Sequence, residues 1–357
     1  MASVTFGRMR MVLVIGILWW SSNLCWAQNW SRPVIDPLET EPNNVIRLVF
    51  YNVENLFDTI DDPHRNDNEY LPGSKKNWET GKYFAKLNHV SKVIRLSGGI
   101  EPPDIVGLAE IENLLVLKDL IRRPSLAGHG YEIIHFDSPD RRGIDVALLF
   151  RKESFFPFQS RPILVRDSTN QNFRTRDILF VSGIVSGGDT LHLFVNHWPS
   201  RLGGKQASEP KRMLAAKTLD QILDSLDRQP GIANYIIMGD FNDEYFDASI
   251  REGLDAEGPD QESTGRIDLM TKMDPNRGTH YYRGLWAYLD QFIISRGLWD
   301  QRALECTYPM VFDPPYLLET TSRGNTFPKR SWKGSFFTNG FSDHLPIIID
   351  LFNETGR

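Results

Sequence analysis

The chain has 357 residues, enough for one large domain or two ordinary ones. Hydrophobic residues make up 41% of the sequence and charged residues 24%, which is the composition of an ordinary globular protein. The formal net charge of −6 excludes a general excess of basic residues. Composition alone therefore does not indicate a nucleic-acid-binding protein, although a local basic groove is compatible with it.

Residues 1–27 are predicted to form a secretory signal peptide. Arg8 and Arg10 give a short positive region, an apolar run follows at residues 11–20, and residues 25–27 offer cleavage positions. The apolar run is shorter than the roughly 20 residues that a membrane-spanning helix needs. We therefore expect cleavage after Ala27, no membrane span in the mature protein, and export to the periplasm or the extracellular space.

Signal cleavage would leave one thiol in the mature protein. The two cysteines are Cys25 and Cys306, so no internal disulfide can form after Cys25 is removed. Loss of Arg8 and Arg10 would change the formal charge from −6 to −8. Residues 28–44 are polar and rich in proline, which predicts an irregular lead-in before a domain spanning residues 45–353.

Strand patterns outnumber helical ones from residue 45 onward. Strands are predicted at 45–53, 104–111, 144–150, 191–198, 235–240, 288–295 and 344–352. Helical spacing of apolar residues begins after Glu79 and again around Ala215. The segments 59–78, 245–280 and 300–340 are polar and read as loops. The pattern favours one α/β domain with several strands in mixed sheets.

Polar residues of catalytic type stand at the ends of the predicted strands. They are Asn52, Glu110, His197, Asp240, Asn242, Asp290, Asp343 and His344. Singly, each has a structural explanation, such as a bulge for Asn52, a helix cap for Glu110 or a turn for Asp343. Together they favour one site at the carboxyl ends of core strands, where open α/β sheets place their ligands.

The order of these motifs resembles that of the endonuclease/exonuclease/phosphatase superfamily, which has the deoxyribonuclease-I-like fold. The matching segments are "FYNVENLFD", "VGLAEIEN", "NH", "GDFN", "LDQFIIS" and "SDHLPI", spread over residues 46–351. Among its members, secreted bacterial nuclease-like proteins are the most similar. The resemblance implies a four-layer α/β/β/α sandwich of two mixed β-sheets flanked by helices. It also implies metal-dependent hydrolysis of a phosphate ester at one edge of that sandwich.

The resemblance further implies a divalent-metal site. Glu110 would supply a carboxylate ligand, and Asn52 and Asp343 stand where the family adds ligands or their supports. Hard cations such as Mg²⁺ take oxygen ligands. We therefore expect Mg²⁺ as the cofactor, with Mn²⁺ or Ca²⁺ as alternatives.

Catalytic roles follow from the same resemblance. Asp240 is expected to orient and deprotonate the attacking water, and Asn242 to hold that water or a phosphoryl oxygen. His197 and His344 would donate hydrogen bonds to the phosphate, where negative charge develops. Asp290 would accept from the other ring nitrogen of His344 and fix its tautomer.

Three assignments stay open in the sequence. Arg142 can bind a substrate phosphate or be a solvated loop charge. Asp145 can join the site or face outward. The acid that supports His197 is either Asp137 or Asp140.

Two basic stretches are candidates for a nucleic-acid groove. The first, residues 198–213, contains Arg201, Lys205, Lys211 and Arg212; the second, residues 322–337, contains Arg323, Lys329, Arg330 and Lys333 with Phe327 and Trp332. Both can equally be solvated loops. We expect a monomeric nuclease with DNA or RNA as substrate and no stable protein partner. The alternative is a phosphatase or phospholipase-type hydrolase of lipid or small-molecule phosphate esters.

Overall fold

The computed structural model describes Met1 and residues 45–353, apart from residues 230–233, 262–264, 301–303 and 323. The predicted signal peptide beyond Met1 and the predicted lead-in lie outside the described residues. Over the described ranges, no helix is both long and apolar enough to cross a lipid bilayer.

Strands dominate the described part of the chain. In chain order they are β1 (Val45–Leu56), β2 (Ile105–Ile111), β3 (Tyr131–His135), β4 (Asp145–Arg151), β5 (Phe155–Ile163), β6 (Ile178–Val185), β7 (Thr190–His197), β8 (Tyr235–Asp240), β9 (Ala256–Glu257), β10 (Arg266–Asp268), β11 (His280–Tyr282), β12 (Leu285–Ala287), β13 (Asp290–Ser295), β14 (Leu304–Cys306), β15 (Met310–Val311), β16 (Leu318–Thr320), β17 (Thr326–Pro328), β18 (Trp332–Lys333), β19 (Phe336–Phe337) and β20 (Ile347–Asn353). The α-helices are α1 (Thr80–Ser97), α2 (Leu114–Ile121), α3 (Lys205–Asp227), α4 (Ala248–Arg251) and α5 (Arg296–Trp299). Short 3-10 helices occur at Asn68–Tyr70, Leu269–Lys272 and Pro315–Leu317.

Two large mixed sheets form the centre of the domain. Sheet I has the strand order β14-β20-β1-β2-β4-β3, with β15 also paired to β20. Sheet II has the order β5-β6-β7-β8-β13-β10-β9. Each sheet contains a central parallel pair, β1 with β2 in sheet I and β7 with β8 in sheet II. The carboxyl ends of each parallel pair therefore lie side by side.

Apolar side chains fill the space between the two sheets and cover their outer faces. Phe50 and Leu148 of sheet I pack with Val195, Met238 and Phe292 of sheet II in one buried cluster. Residues of α1 and α2 cover the outer face of sheet I, and residues of α3 cover that of sheet II. This confirms the predicted four-layer α/β/β/α sandwich.

Every strand and helix predicted from the sequence overlaps an element of the structure. The segments predicted as loops at 245–280 and 300–340 were wrong in part, because the first contains α4, β9 and β10 and the second contains the short strands β14 to β19. In addition, α3 begins at Lys205, so most of the basic stretch 198–213 is helical rather than a loop. The reason is that Ser208 and Arg212 occupy its buried face. Polar residues there interrupt the apolar spacing by which a helix is recognised.

Candidate active site

Three of the predicted catalytic residues lie in one row across sheet II. His197 at the end of β7 is in register with Asp240 at the end of β8, and Asp240 is in register with Asp290 at the start of β13. Gly239 allows β7 and β8 to approach closely, because a Cβ atom there would lie 2.4 Å from the Asn196 carbonyl oxygen. The register of β7, β8 and β13 thus brings an imidazole and two carboxylates to the same sheet edge.

Sheet I supplies Asn52 and Glu110 at the corresponding edge. Ala109 pairs with Val146 and Ile111 with Asp145, so Glu110 is an extra residue in β2 and forms a bulge. Its φ of 65° lies in the left-handed region, which non-glycine residues rarely adopt. A bulge re-aims a side chain. Here the Glu110 carboxylate (Oε2) accepts a hydrogen bond from the Asn55 amide at 2.7 Å.

Asp240 is the point at which the two sheets meet. Its Oδ2 accepts from the Asn52 side-chain amide at 3.0 Å, and its Oδ1 accepts from the Asn242 backbone amide at 2.9 Å. The Nε2 atoms of His197 and His344 lie 3.6 and 3.8 Å from Oδ2. Burial raises the pKa of Asp240 to about 7, while the His344 charge acts in the opposite direction. The structure therefore brings these five predicted residues together around one carboxylate.

Asp290 and His344 form the predicted imidazole–carboxylate pair. The His344 Nδ1 atom lies 2.7 Å from Asp290 Oδ2, and both side chains are buried. Burial alone would lower the pKa of His344, but the carboxylates of Asp290 and Asp240 raise it well above its usual value. The Ser342 hydroxyl donates to the Asn52 carbonyl and accepts from the His344 amide, which ties this loop to β1.

His197 has the opposite electrostatic environment. Burial lowers its pKa well below the usual value, and the nearby charges of Arg176 and Arg142 add to that effect. Arg176 is buried and donates to the His197 carbonyl oxygen at 3.0 Å. His197 Nδ1 is buried without a hydrogen-bond partner among the described residues.

Neither acid proposed as a support for His197 contacts its ring. Asp140 Oδ2 lies 3.3 Å from an Arg176 guanidinium nitrogen, and Asp137 lies 3.9 Å from His135. Asp140 therefore acts on His197 only through Arg176, which holds the backbone of the strand end. The sequence alternatives for this acid are both wrong as direct partners.

Arg142 and Asp145 have distinct surroundings. Arg142 is exposed, its backbone amide donates to Asp140 at 2.9 Å, and its charge lowers the pKa of His197. Arg142 is therefore within electrostatic reach of the site. Asp145 does not face outward: it is buried, accepts from the Ser138 amide at 3.0 Å and lies 3.6 Å from His135 Nε2.

Asp343 belongs to a second charged group beside the site, most of which the sequence did not reveal. Its Oδ2 accepts from Arg330 at 2.8 Å, and Arg330 also contacts the buried carboxylate of Glu54 at 3.3 Å. The Glu54 carboxylate accepts from the Ser331 amide at 2.5 Å. Burial, followed by the charge of Asp343, raises the pKa of Glu54 to about 7. Glu54 follows Asn52 by two residues in the same strand, which is the signal that could have identified it.

Two further residues were missed. The Lys86 ammonium is fully buried and donates to the Ser331 hydroxyl and to the Phe341 carbonyl, both at 2.5 Å. A lysine inside the apolar stripe of α1 was the available signal. His280 forms an isolated bridge with His344, and their ring centroids are 4.7 Å apart.

The residues at this edge fit a divalent cation. Possible ligand atoms of Asp240, Asp290 and His344 lie within 4.8 Å of one another, and those of His280, Asp343 and His344 form a second such group. Like charges also crowd the site, since the carboxylates of Asp290 and Glu110 add to the effect of burial in raising the pKa of Asp240. Carboxylate oxygens gathered in this way suit hard cations. Asn52 contacts Asp240, so its role as a ligand stays a prediction.

The two predicted basic stretches are largely neutralised by nearby carboxylates. Arg212 is fully buried and its Nε lies 2.6 Å from Asp243, which corrects its assignment to a groove. Arg201 and Lys205 lie 3.2 and 2.6 Å from Asp247. In the second stretch, Lys333 pairs with Glu319 at 2.8 Å, Arg330 pairs as described above, and Trp332 is buried against Trp78. Arg323 lies outside the described residues.

Solved structures of similar fold cover most of the chain. An endonuclease/exonuclease/phosphatase family protein of Bacteroides thetaiotaomicron has a TM-score of 0.55 and 16% identity, over 87% of this chain and 98% of that one. A mannosyl-6-phosphatase of the same organism has a TM-score of 0.56 and 17% identity, over 86% and 99%. D. rerio TDP2 complexed with a single-strand DNA product has a TM-score of 0.54 and 16% identity, over 86% and 98%.

At these identities the similarity shows a shared fold. No curated protein sequence matches this chain. A family model described as the endonuclease/exonuclease/phosphatase family matches residues 47–353. That range contains every residue of the site described above, and the chain belongs to the endonuclease/exonuclease/phosphatase family of phosphoric-ester hydrolases.

Proposed function

We propose that this protein is an exported, divalent-metal-dependent phosphodiesterase that hydrolyses DNA or RNA. The observation that carries the proposal is the position of Asp240. Its carboxylate is buried, hydrogen-bonded on both oxygens, and within 4 Å of two imidazoles of opposite electrostatic character. Such an arrangement suits proton transfer next to a group on which negative charge develops.

Asp240 is the general base in this proposal. A carboxylate with a pKa near 7 can accept a proton from water at neutral pH more effectively than an ordinary aspartate. The amides of Asn52 and Asn242 fix its two oxygens. The side-chain N–H of Asn242 donates to the Trp198 carbonyl oxygen at 3.0 Å. The side-chain oxygen of Asn242 is then left to orient the water.

The two histidines stabilise the phosphate. His344 stays protonated because Asp290 and Asp240 raise its pKa, so it donates from Nε2 while Asp290 holds Nδ1. His197 is neutral because burial lowers its pKa. A neutral imidazole beside an imidazolium donates one hydrogen bond without adding a second positive charge to the site.

The cation would be held by Glu110 and Asp343, with Asn52 and the missed carboxylate of Glu54 as further oxygen donors. When bound, Mg²⁺ would neutralise charge on the phosphate in the transition state. Asn55 positions Glu110 through its backbone amide, and Arg330 and Lys86 limit repulsion among the carboxylates.

The choice of nucleic acid as substrate is supported by the fold shared with TDP2, which was solved with a single-strand DNA product. The fold shared with a mannosyl-6-phosphatase supports a second candidate, hydrolysis of a small-molecule phosphate monoester. Export rests on the predicted signal peptide at residues 1–27.

A substrate panel tests the proposal. The exported protein would be assayed on single-stranded DNA, RNA, bis(p-nitrophenyl) phosphate and mannose 6-phosphate, with Mg²⁺, Mn²⁺, Ca²⁺ or excess EDTA. We expect turnover of the nucleic acids and the chromogenic diester with metal, and none in EDTA. Turnover confined to mannose 6-phosphate would favour the second candidate, and full activity in EDTA would contradict both.

A further inference from the structure

We propose that a cavity lined by three arginines, which hydrogen bonds through Asp140 and Arg176 connect to His197, binds a phosphate group of the nucleic-acid strand, away from the bond that is cut. This inference rests on the proposed function and adds the feature by which the substrate is recognised. The cavity has a volume of about 350 Å³. Its lining residues, here called the arginine cavity, are His64, Arg65, Pro139, Arg141, Asn172 and Arg174.

The arginines of the arginine cavity form no ion pairs with carboxylates of the described residues. Over the described ranges, no carboxylate lies within 4.0 Å of the guanidinium of Arg65, Arg141 or Arg174. They instead donate to backbone carbonyls: Arg65 to two at 2.7 Å, Arg174 to two at 2.6 and 2.8 Å, and Arg141 to one at 3.3 Å. Carbonyls hold a guanidinium in place without cancelling its charge, and five N–H donors per guanidinium leave several free.

Close contacts between separate loops form the cavity. The Asn66 amide donates to the Arg141 carbonyl at 2.8 Å, which joins the loop after β1 to the loop before β4. Gly143 has a φ of 74°, and a Cβ atom there would lie 2.9 Å from Arg65 Cγ. A larger side chain at Gly143 would therefore displace Arg65. The arginines are held in place before any ligand arrives, which lowers the entropic cost of binding.

A short hydrogen-bonded path connects the cavity to the catalytic centre. Arg65 donates to the Asp140 carbonyl at 2.7 Å, the Asp140 carboxylate lies 3.3 Å from Arg176, and Arg176 donates to the His197 carbonyl at 3.0 Å. The exposed Arg142 directly follows Arg141 in the sequence, and its charge helps to lower the pKa of His197. A ligand that reaches both places needs one phosphate at the catalytic centre and another at the cavity.

A polynucleotide strand meets that requirement because it repeats phosphates along its length, whereas a sugar monophosphate carries one. The arginine fork matches phosphate oxygens and binds two of them at once. Arg141 and Arg174 are exposed, so a strand can reach them. A neighbouring cavity of about 920 Å³ shares Arg65 and Arg174 but also has carboxylates in its lining, so we assign the phosphate to the arginine cavity.

The test compares Arg141→Gln/Arg174→Gln with a matched control, Arg228→Gln. Arg228 is an exposed arginine directly after α3. It precedes β8, and Asp240 lies at the far end of β8. Affinity for a fluorescein-labelled single-stranded oligonucleotide would be measured by anisotropy in EDTA at several salt concentrations. The ratio of kcat/KM for the oligonucleotide to that for bis(p-nitrophenyl) phosphate would be measured with Mg²⁺.

We expect the double variant to bind the oligonucleotide at least tenfold more weakly at low salt. The slope of log affinity against log salt should become shallower by about 0.7 for each phosphate that the variant no longer neutralises. The kcat/KM ratio should fall by a similar factor, and the control should match the wild type. If the melting temperature of the double variant is lower than that of the wild type, the single variant Arg141→Gln is used for the same comparison.

Three results separate the possibilities. Unchanged affinity and salt slope would overturn the cavity assignment even if the protein is a nuclease. Weaker competition by inorganic tripolyphosphate against the labelled oligonucleotide in EDTA, with the affinity for the oligonucleotide itself unchanged, would overturn it in favour of a small polyphosphate ligand. A shallower slope in a protein that hydrolyses no phosphodiester would support the cavity and contradict the proposed function.

Discussion

Replacing Asp290 by asparagine tests whether this carboxylate acts through His344. The side chain keeps its shape and an oxygen that can accept from His344 Nδ1 at 2.7 Å, but it loses its charge. A hydrogen bond to a charged group contributes about 1.5–3 kcal/mol and a neutral one about 0.5–1.5 kcal/mol. The difference of roughly 1.4 kcal/mol corresponds to about a tenfold fall in kcat. Complete removal of the imidazole in His344→Ala should cost about 10² to 10⁴.

The assay is steady-state hydrolysis of bis(p-nitrophenyl) phosphate at saturating Mg²⁺, with the melting temperature as the control for folding. The double variant Asp290→Asn/His344→Ala should be about as slow as His344→Ala alone, because groups that act as a unit are not additive. A further tenfold loss in the double variant would refute the pairing. Asp290 would then serve the metal or the fold directly.

Three other predictions concern metal binding, export and pH. Glu110→Gln should raise the Mg²⁺ concentration needed for half-maximal activity without changing the melting temperature; an unchanged Mg²⁺ requirement would contradict its role as a ligand. The intact mass of the exported protein should correspond to a chain that begins near Gln28 with Cys306 reduced, and a retained N-terminus would indicate an anchor. Burial raises the pKa of Asp268 to about 7. The folded state therefore holds this proton more tightly than the unfolded state, and the stabilisation is complete below about pH 4 and lost as the pH rises through about 7. The free energy of unfolding of Asp268→Asn, relative to that of the wild type, should therefore increase by up to about 3 kcal/mol when the pH is raised from 5 to 8. An equal difference between the two proteins at both pH values, measured by urea unfolding, would contradict this.

The strand-end residues were predictable because each borders a continuous apolar run: His197 and Asp240 end such runs, whereas Asp290 begins one. An apolar run that stops at Gly239 and continues with Asp240 marks both a core strand and its exit at the sheet edge. The motif order then implied the fold. Four strands of sheet II were not recognised. β5 has mostly exposed or half-buried residues because it is an edge strand, and Gly183 interrupts β6. β9 and β10 have only two and three residues, too few to show an apolar pattern.

The charged groups around the site were less predictable, because their partners are distant in sequence. Arg201 and Arg212 formed a dense basic stretch, but Asp243 and Asp247, which neutralise them, come from the loop after β8. The arginine cavity has the opposite origin. Its three arginines come from three separate loops, so no local excess of basic residues marked it.

Asp240 is proposed to activate the water that attacks the phosphodiester. The most direct measurement is kcat of Asp240→Asn on a single-stranded oligonucleotide with Mg²⁺. Both oxygens of Asp240 accept hydrogen bonds from N–H groups, so the NH₂ group of the new asparagine would face another donor. Because this contact can destabilise the variant, the assay is run well below its melting temperature. We expect kcat to fall by about 10² to 10⁴ while the protein stays folded. A folded variant with kcat within a few-fold of the wild type would contradict it.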